Sequence, residues 1–548
     1  MKTRKMILLS LVTIILFSGF ITRDNDIYLE INKGIDIFGR VYKEVNLNYV
    51  EPLNPQEFML AGINGMLTSL DPYTNFIDQN EQKDIDIITK GKYGGIGASV
   101  GVRNDDITIV DLIEGYSAQR QGMRIGDVIT KINETPVSKE NADNLSELLK
   151  GDPGTTVQII VKRETVEEPI VFNLIREEIE VKNVSYYGFM PAESNNAYIK
   201  LSGFSRSAGE EVKKALVDLK SKKNIESIVL DLRGNPGGLL DAAIDVSEKF
   251  LKKGQLVVSV KGRDSLSSKN YFALEEPVSI NTKMIVLIDE GTASASEIVA
   301  GAIQDHDRAV VVGANSFGKG LVQTVLPLSY NTSLKITTAR YFTPSGRSIQ
   351  RINYSEKNKV FGQSSSIKKL EFKTDGKRTV LSGGGIMPDT TVTNKSNSYF
   401  VQTLLASGMF FKFATNYFNN NPNINGNSSK PDALFKEFTG YLKSQKYNFV
   451  SRSEKLIGQL VISGLEENVD KDFINQLEKV KKGIEANHTA ELEKYRDDVL
   501  SEIREELSAR TGGREGRIKE SLKYDKQFLA SYQILNNQKK YQDLLSSN

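Results

Sequence analysis

A chain of 548 residues is too long for one hydrophobic core, so several domains are expected. Its 71 basic and 69 acidic residues leave a formal charge of only +2, which argues against nucleic acid as the main partner, because backbone binding needs a clustered cationic face. With no cysteine there are no disulfides, thiol nucleophiles or Cys-ligated zinc, and two histidines leave little for a His-based metal site, so neither metal nor cofactor is expected.

The chain opens with a basic "MKTRK" and the apolar run "MILLSLVTIILFSGFI", the form of an export signal. The run is a little short for a spanning helix, which wants about 20 apolar residues, and no small-x-small cleavage site follows it. Residues 1–22 therefore read as a signal peptide or an uncleaved anchor in the inner membrane. The rest is expected outside the cytoplasm, in a periplasmic setting.

Residues 23–89 have a helical pattern, with Ile31, Ile35, Phe38, Val41 and Val45 at three- and four-residue spacing. "AGINGMLTSLDPYTNFID" reads as a second helix that stops at Pro72. At "GKYGGIGASVGV" glycines crowd together and strand alternation begins. "ITIVDLI", "TTVQIIVKR" and "PIVFNLIR" continue it, so 90–178 is a compact β-rich module. Over 179–395 strands and helices alternate: "NAYIKL", "SAGEEVKKALVDLKS", "ESIVLDLRG", "LLDAAIDVSEKFLKKG", "QLVVSVK", "KMIVLID" and "RAVVVG". That order indicates an α/β domain with a mostly parallel sheet and helical cover. "SYNTSLKITTARYFTPSGRSIQ" adds antiparallel-looking strands. Residues 396–548 are helical with Asn-rich breaks, and Phe473, Leu477, Val480 and Ile484, then Leu492, Tyr495, Val499, Ile503 and Leu507, mark amphipathic faces for packing or a partner.

The candidate chemistry lies in three stretches of the α/β domain. "EGTASASEIVAG" places Thr292, Ser294 and Ser296 between an apolar strand and an apolar helix, where an acyl-transfer enzyme carries its nucleophile. In "GANSFGKGLVQT", Lys319 has a glycine on each side and Phe317, Leu321 and Val322 nearby. A lysine serves a serine as base only when neutral, which an apolar, partly closed site favours by lowering its pKa from about 10.4. Gly313 to Lys319 also has a Walker A skeleton, but Gly320 replaces the magnesium-binding Ser or Thr, and "LVQTVLPL" reads as a strand rather than a phosphate-binding helix. The third stretch, "DLRGNPGG", follows an apolar strand, and its glycines expose backbone N–H groups of the kind that stabilise an oxyanion.

"GTASASEIVAGAIQDHDRAVVVGANSFGKGLVQT", with "DLRGNPGG", "YGGIGA" and "LDPYTNFI", resembles the carboxy-terminal processing peptidases, also called tail-specific proteases, of peptidase family S41. The resemblance covers about 31–392. It implies a crotonase-like α/β protease core with an inserted β-rich PDZ domain and helical N- and C-terminal regions. It also implies a serine endopeptidase with a Ser–Lys dyad that cleaves near the C-terminus of protein substrates. In that family Ser294 is the nucleophile, Lys319 the base and Gln323 the residue that orients the lysine. The oxyanion hole pairs the N–H of Ala295 with Gly237 or Gly238. The flanking Ala293 and Ala295 leave the Ser294 hydroxyl unobstructed, and the following helix puts its positive end near the oxyanion. Ser296, with Glu297 behind it, reads as a helix cap. His306 lies about three helical turns away, roughly 18 Å, too far to act on Ser294, and reads as a surface or sheet-edge residue.

In the β-rich module, Tyr93, Gly94, Gly95, Ile96 and Gly97 match the PDZ loop that takes a chain's terminal carboxylate, with Ile96 lining a pocket for an apolar last side chain. The expected partners are protein or peptide substrates with free apolar C-termini, together with an activating or oligomeric partner. Two other readings compete: a PDZ adaptor with an inactive core, and a crotonase-type enzyme acting on acyl thioesters. An intact Ser294, Lys319 and Gln323 set weighs against the first, and the PDZ insertion with its export segment against the second.

Overall fold

The computed structural model describes residues 27–546, except 80, 83–86, 88, 90, 104, 141–144, 165, 265–266, 355–364, 394–397, 422–429 and 487. The export segment at 1–22 lies outside the described residues. No helix among the described residues is long and apolar enough to cross a membrane. The described residues form two compact units, one of 27–78, 323–337 and 354, the other of the remainder.

The smaller unit holds a helix over 27–48 and the helix Pro55–Thr68. The second helix stops at Thr68, short of the expected Pro72. Asp71 then folds the DPYT stretch back on itself, its Oδ1 accepting from Tyr73 N–H (2.9 Å) and Thr74 N–H (3.0 Å). The residue before a proline disfavours helical angles, so the chain leaves this turn extended, as the strand Asn75–Ile77 paired with Ser333–Lys335.

In the larger unit, a six-stranded antiparallel sheet forms the module expected at 90–178: Ala98–Arg103, Asp106–Leu112, Val128–Ile132, Thr156–Lys162 and Ile170–Ile175 in that order, with the short Thr135–Pro136 beside Val128–Ile132. Alternate residues, among them Ile107, Ile109, Ile129, Val157, Ile159 and Leu174, close its core. Ala98–Arg103 stands at one edge of this sheet. The short helix Leu145–Leu149 interrupts what reads as loop in the sequence.

The α/β domain is built on a six-stranded sheet. Asn196–Leu201, Ser227–Asp231, Lys283–Ile288, Val310–Gly313 and Thr390–Thr391 run parallel in that order. Val184–Phe189 pairs antiparallel at the Asn196–Leu201 edge. Helices Ala208–Lys222, Leu240–Glu248 and Ala295–Asp305 bury their apolar sides on one face. One expectation changes here. "QLVVSVK" is not part of the parallel sheet: as Leu256–Gly262 it pairs antiparallel with Lys269–Phe272 and with Ala339–Phe342. The last helices of the C-terminal region, Lys526–Leu535 and Gln538–Leu545, pack on the α/β domain. Phe528, Ile534, Leu535 and Tyr541 cover the second face of the parallel sheet against Tyr198, Val229, Ile285 and Val312. A sheet whose strands are apolar on both sides needs two covers, and the C-terminus supplies one of them. The preceding helices form their own core around Phe410, Phe413, Phe438, Val499 and Ile503. Phe473 and Val480, by contrast, are exposed.

Candidate active site

Ser227–Asp231 and Lys283–Ile288 are parallel neighbours in the middle of the sheet, Asp231 beside Leu287, so the turns that follow them meet at the C-terminal ends of these strands. Polar groups bind these turns together. The carbonyl of fully buried Asn235 accepts from Ala293 N–H (3.0 Å) and from Ser296 Oγ (3.0 Å). Its side-chain amide donates to Leu201 O (2.9 Å), and its Oδ1 accepts from Gly237 N–H (2.9 Å). Asp289 Oδ1 accepts from Gly234 N–H (2.8 Å) and Gly291 N–H (2.9 Å). Gly237 (φ +98°) lies so close that a Cβ there would meet Ala293 O at 2.7 Å and Ser294 Cβ at 2.9 Å, which only glycine avoids.

Of the three candidate hydroxyls, Thr292 and Ser296 are fully buried and committed: Thr292 Oγ1 donates to Leu232 O (3.0 Å) and Ser296 Oγ to Asn235 O. Ser294 is half-buried between two buried alanines. Its backbone is strained, at φ 55° and ψ −114°, outside the helical and extended regions. Such a conformation costs on the order of 1–3 kcal/mol and marks functional sites. Ser294 is also the N-cap residue of Ala295–Asp305. The cap expected of Ser296 is therefore corrected: the helix begins two residues earlier than that reading supposes, and Ser296 Oγ bonds inward to Asn235 O, holding the neighbouring turn. Ala295 N–H is one of the first-turn donors, which have no intrahelical acceptor.

Glu297, in the first turn of this helix, joins the serine to the lysine. It is fully buried. Its carboxylate accepts from Ser294 N–H (2.9 Å), Ser316 Oγ (2.5 Å), Gly318 N–H (2.7 Å) and Lys319 N–H (2.9 Å). Burial pushes its pKa above the ordinary carboxyl value, against the pull of these four donors. Lys319 is half-buried, in the stretch before the strand Leu321–Pro327. From the other side, fully buried Tyr341 places its hydroxyl 3.1 Å from Ser294 O and 2.7 Å from Lys319 O. The sequence gives a partial signal for Glu297, an acid at the third position of an otherwise apolar helix. It gives none for Tyr341 or for the many bonds of Asn235.

The glycine turn that follows Ser227–Asp231 is anchored below. Asp231 accepts from Tyr198 OH (2.6 Å) and from the Arg233 guanidinium (2.9 and 2.7 Å). Burial pushes the Asp231 carboxyl up, but Arg233 and Lys200 outweigh it and hold the group well below the ordinary range. Arg233 reaches on to Asp525 (2.6 Å) and Gln527 (2.9 Å) at the start of a C-terminal helix.

His306 is at the far end of the Ala295–Asp305 helix, with Nδ1 2.7 Å from Asp375 and Nε2 2.7 Å from Leu256 O. Gln323 belongs to the smaller unit, where its amide donates to Thr337 Oγ1 (3.2 Å); Thr337 Oγ1 in turn bonds Asp71 (3.3 Å) of the DPYT turn. Tyr93, Gly94 and Gly95 lie in the strand Lys92–Gly95, paired with Glu177–Glu180. Gly97 (φ +77°) turns the chain into the edge strand Ala98–Arg103. Ile96 is 2% exposed and packs in the core of this module, with Val100 and Leu148 among the half-buried apolar residues against that core. No group of three or more His, Asp or Glu side chains that could hold a metal occurs among the described residues.

Three family models match the chain: the PDZ domain over 94–174, peptidase family S41 over 195–356, and the C-terminal helical domain of a probable PDZ-protease over 400–535. A carboxy-terminal-processing protease of Bartonella bacilliformis is 40% identical over 318 residues, 58% of this chain and 72% of that one. The chain belongs to the carboxy-terminal-processing proteases of peptidase family S41. It is thus a serine-type peptidase with a PDZ domain and an α/β core. A probable CtpA-like serine protease of Staphylococcus aureus (strain MRSA252) is 34% identical over 313 residues, 56% of this chain and 61% of that one. Among solved structures, the photosystem II D1 C-terminal processing protease is similar over 64% of this chain and 85% of its own, at 26% identity and a TM-score of 0.35. The PDZ domain of a carboxy-terminal protease from Vibrio cholerae, in complex with a peptide, matches 16% of this chain and 98% of its own, at 25% identity and a TM-score of 0.15. The helical region, which the sequence reading leaves outside the shared core, has a family model of its own.

Proposed function

We propose that this S41 peptidase works through a Ser294–Lys319 dyad and selects proteins by their C-terminal tails. The observation that carries the dyad is the strained, half-buried Ser294, joined to the Lys319 segment through one buried carboxylate. Ser294 Oγ attacks the substrate carbonyl while Lys319 Nζ, neutral, takes its proton. The tetrahedral oxyanion is held by Ala295 N–H and a glycine N–H of the NPGG turn. Gly237 N–H is committed to Asn235 Oδ1, which favours Gly238 as that donor. Protonated Lys319 then delivers its proton to the leaving amine, and water, deprotonated by the same lysine, releases the acyl group. Gln323, four residues on, orients the lysine.

The PDZ domain captures the substrate's last residues as an added strand along Ala98–Arg103, with the carboxylate at the Gly95–Gly97 turn and an apolar last side chain toward Val100 and Leu148. Free apolar C-termini are accordingly the preferred tails. The N-terminal basic and apolar run supports export, with the enzyme periplasmic and tethered to the inner membrane if the run is retained; an activating or oligomeric partner fits this setting.

The test is mass spectrometry of fragments from a tail-exposed protein, with wild type, Ser294→Ala and Lys319→Ala side by side. Both variants should yield no fragments, and the double variant should be no worse than either, because co-acting residues are non-additive. Activity should rise toward alkaline pH as Lys319 loses its proton. A Lys319→Ala enzyme that still cleaves would overturn the dyad; equal cleavage of free and amidated tails would overturn tail selection.

A further inference from the structure

Ser294 and Lys319 both sit where the backbone is irregular, one in a strained turn and the other before a strand begins, so their mutual placement needs a cause. The hydrogen bonds supply one from two sides. Glu297 accepts the backbone N–H of both residues, each at 2.9 Å. Tyr341 faces the backbone carbonyl of both, at 3.1 and 2.7 Å. Tyr341 is itself fixed: it is 1% exposed, its backbone N–H donates to Gly320 O (3.0 Å), and its strand is paired with Leu256–Gly262. Burial, with the Glu297 carboxyl nearby, holds the Tyr341 hydroxyl well above the ordinary tyrosine range, so it remains a donor.

We propose that Tyr341 is a positioning residue for the dyad, its one O–H proton shared between the Lys319 carbonyl (2.7 Å) and the Ser294 carbonyl (3.1 Å) while Glu297 pins their N–H groups. The inference rests on the dyad reading. It assigns to Tyr341 no contact with substrate; it acts through the two backbones. Losing the pin lets the lysine segment move relative to the serine, and a misplacement of about 1 Å costs on the order of a hundredfold in rate. It also lets the amine meet more water, which favours its charged form.

Tyr341→Phe removes one oxygen and keeps the ring in the core. Steady-state cleavage of a peptide substrate should show kcat down roughly tenfold to a hundredfold with KM within about twofold. The alkaline limb of the pH–rate profile should move upward, so that raising the pH restores part of the lost rate. A residue that only fills the core would not move that limb. Glu297→Gln probes the other side of the pin and should give the same pair of changes, with the double variant less impaired than the product of the two singles. Wild-type kcat and an unmoved limb in Tyr341→Phe, with Ser294→Ala and Lys319→Ala inactive, would overturn the pin alone. A limb unmoved in both variants despite reduced kcat would make the role merely structural and also overturn it. If Tyr341→Phe fails to fold, the limb of Glu297→Gln decides. Activity surviving in Ser294→Ala or Lys319→Ala would instead remove the dyad on which the pin depends.

Discussion

Replacing Asp525 with alanine asks whether the C-terminal helices belong to the catalytic layer. Asp525 Oδ1 caps the helix Lys526–Leu535 by accepting from Gln527 N–H (2.9 Å) and Phe528 N–H (3.0 Å). Its Oδ2 pairs with Arg233 at 2.6 Å, and both side chains are about nine-tenths buried. Loss of the cap should cost about 1 kcal/mol. Removing one partner of a buried pair costs about 3–5 kcal/mol when the other is stranded. Arg233 is not stranded, since Asp231 still takes its Nε and Nη2. About 2 kcal/mol is therefore assigned to the pair, and about 3 kcal/mol to the whole substitution. Asp525→Asn keeps a capping oxygen and loses the charge, so it should cost about 2 kcal/mol, and the difference between the two variants isolates the cap.

Urea unfolding followed by far-UV circular dichroism measures both values. Activity adds a second reading. Arg233 begins the turn that brings Gly237 against Ser294, so cleavage under conditions where the variant is fully folded should fall several-fold. An Asp525→Ala enzyme within 1 kcal/mol of wild type, with unchanged cleavage, would refute the claim that these helices support the site.

Gly237→Ala places a Cβ 2.9 Å from Ser294 Cβ at a φ of +98°, so the serine must shift; cleavage should drop about a hundredfold, measured with the same peptide assay. His306→Ala should leave most cleavage intact, since its two ring nitrogens bond Asp375 and Leu256 rather than the site; kcat/KM in parallel with wild type checks it. Stability should fall as pH rises from about 4.5 toward 8. Burial, with Glu506 and Asp498 nearby, pushes Glu502 up to about 7, and burial with Glu502 nearby pushes Glu505 up to about 8, with Arg517 opposing both. The folded state then binds more protons than the unfolded one between 4.5 and those values, so its advantage is full at low pH and is lost through that window, at about 1.4 kcal/mol per pH unit for each group while it is protonated only in the folded state. Urea midpoints across pH should decline accordingly in wild type and stay flatter in Glu505→Gln.

Much of this fold was legible in the sequence because alternation and apolar runs report burial. "TTVQIIVKR" alternates and becomes Thr156–Lys162; "SIVLD" carries the unbroken apolar run Ile228–Leu230 and becomes a strand buried on both faces. Pattern does not say against what a segment is buried. Leu256–Gly262 is apolar enough for the parallel sheet yet joins the antiparallel one. The apolar side of Lys526–Leu535 announces a helix, but nothing local tells that Phe528 lies against Tyr198, at 5.7 Å between ring centroids. The edge strand Val184–Phe189 was missed for a related reason: "VSYYGF" mixes one buried valine and tyrosine with half-exposed aromatics, and its partner is set by the chain reversing into Asn196–Leu201.

The site divides along the same line. The hydroxyl cluster and the glycine turn stand out because each follows an apolar strand, and the family resemblance singles out Ser294 among the three hydroxyls. The groups that hold them do not, because their importance lies in bonds between segments. Where strands give way to turns, backbone N–H and C=O groups lose their ladder partners and must be satisfied otherwise. Asn235, Asp289, Glu297 and Tyr341 are the side chains that do so around Ser294 and Lys319. Each bonds backbone from two segments, so none can shift without loosening both. That over-determination is what allows a serine to remain at φ 55° when relaxation to a negative φ would release on the order of 1–3 kcal/mol. The strain is thus stored in the turn and maintained by the buried polar side chains around it, so the serine proposed as nucleophile is held in place before any substrate arrives.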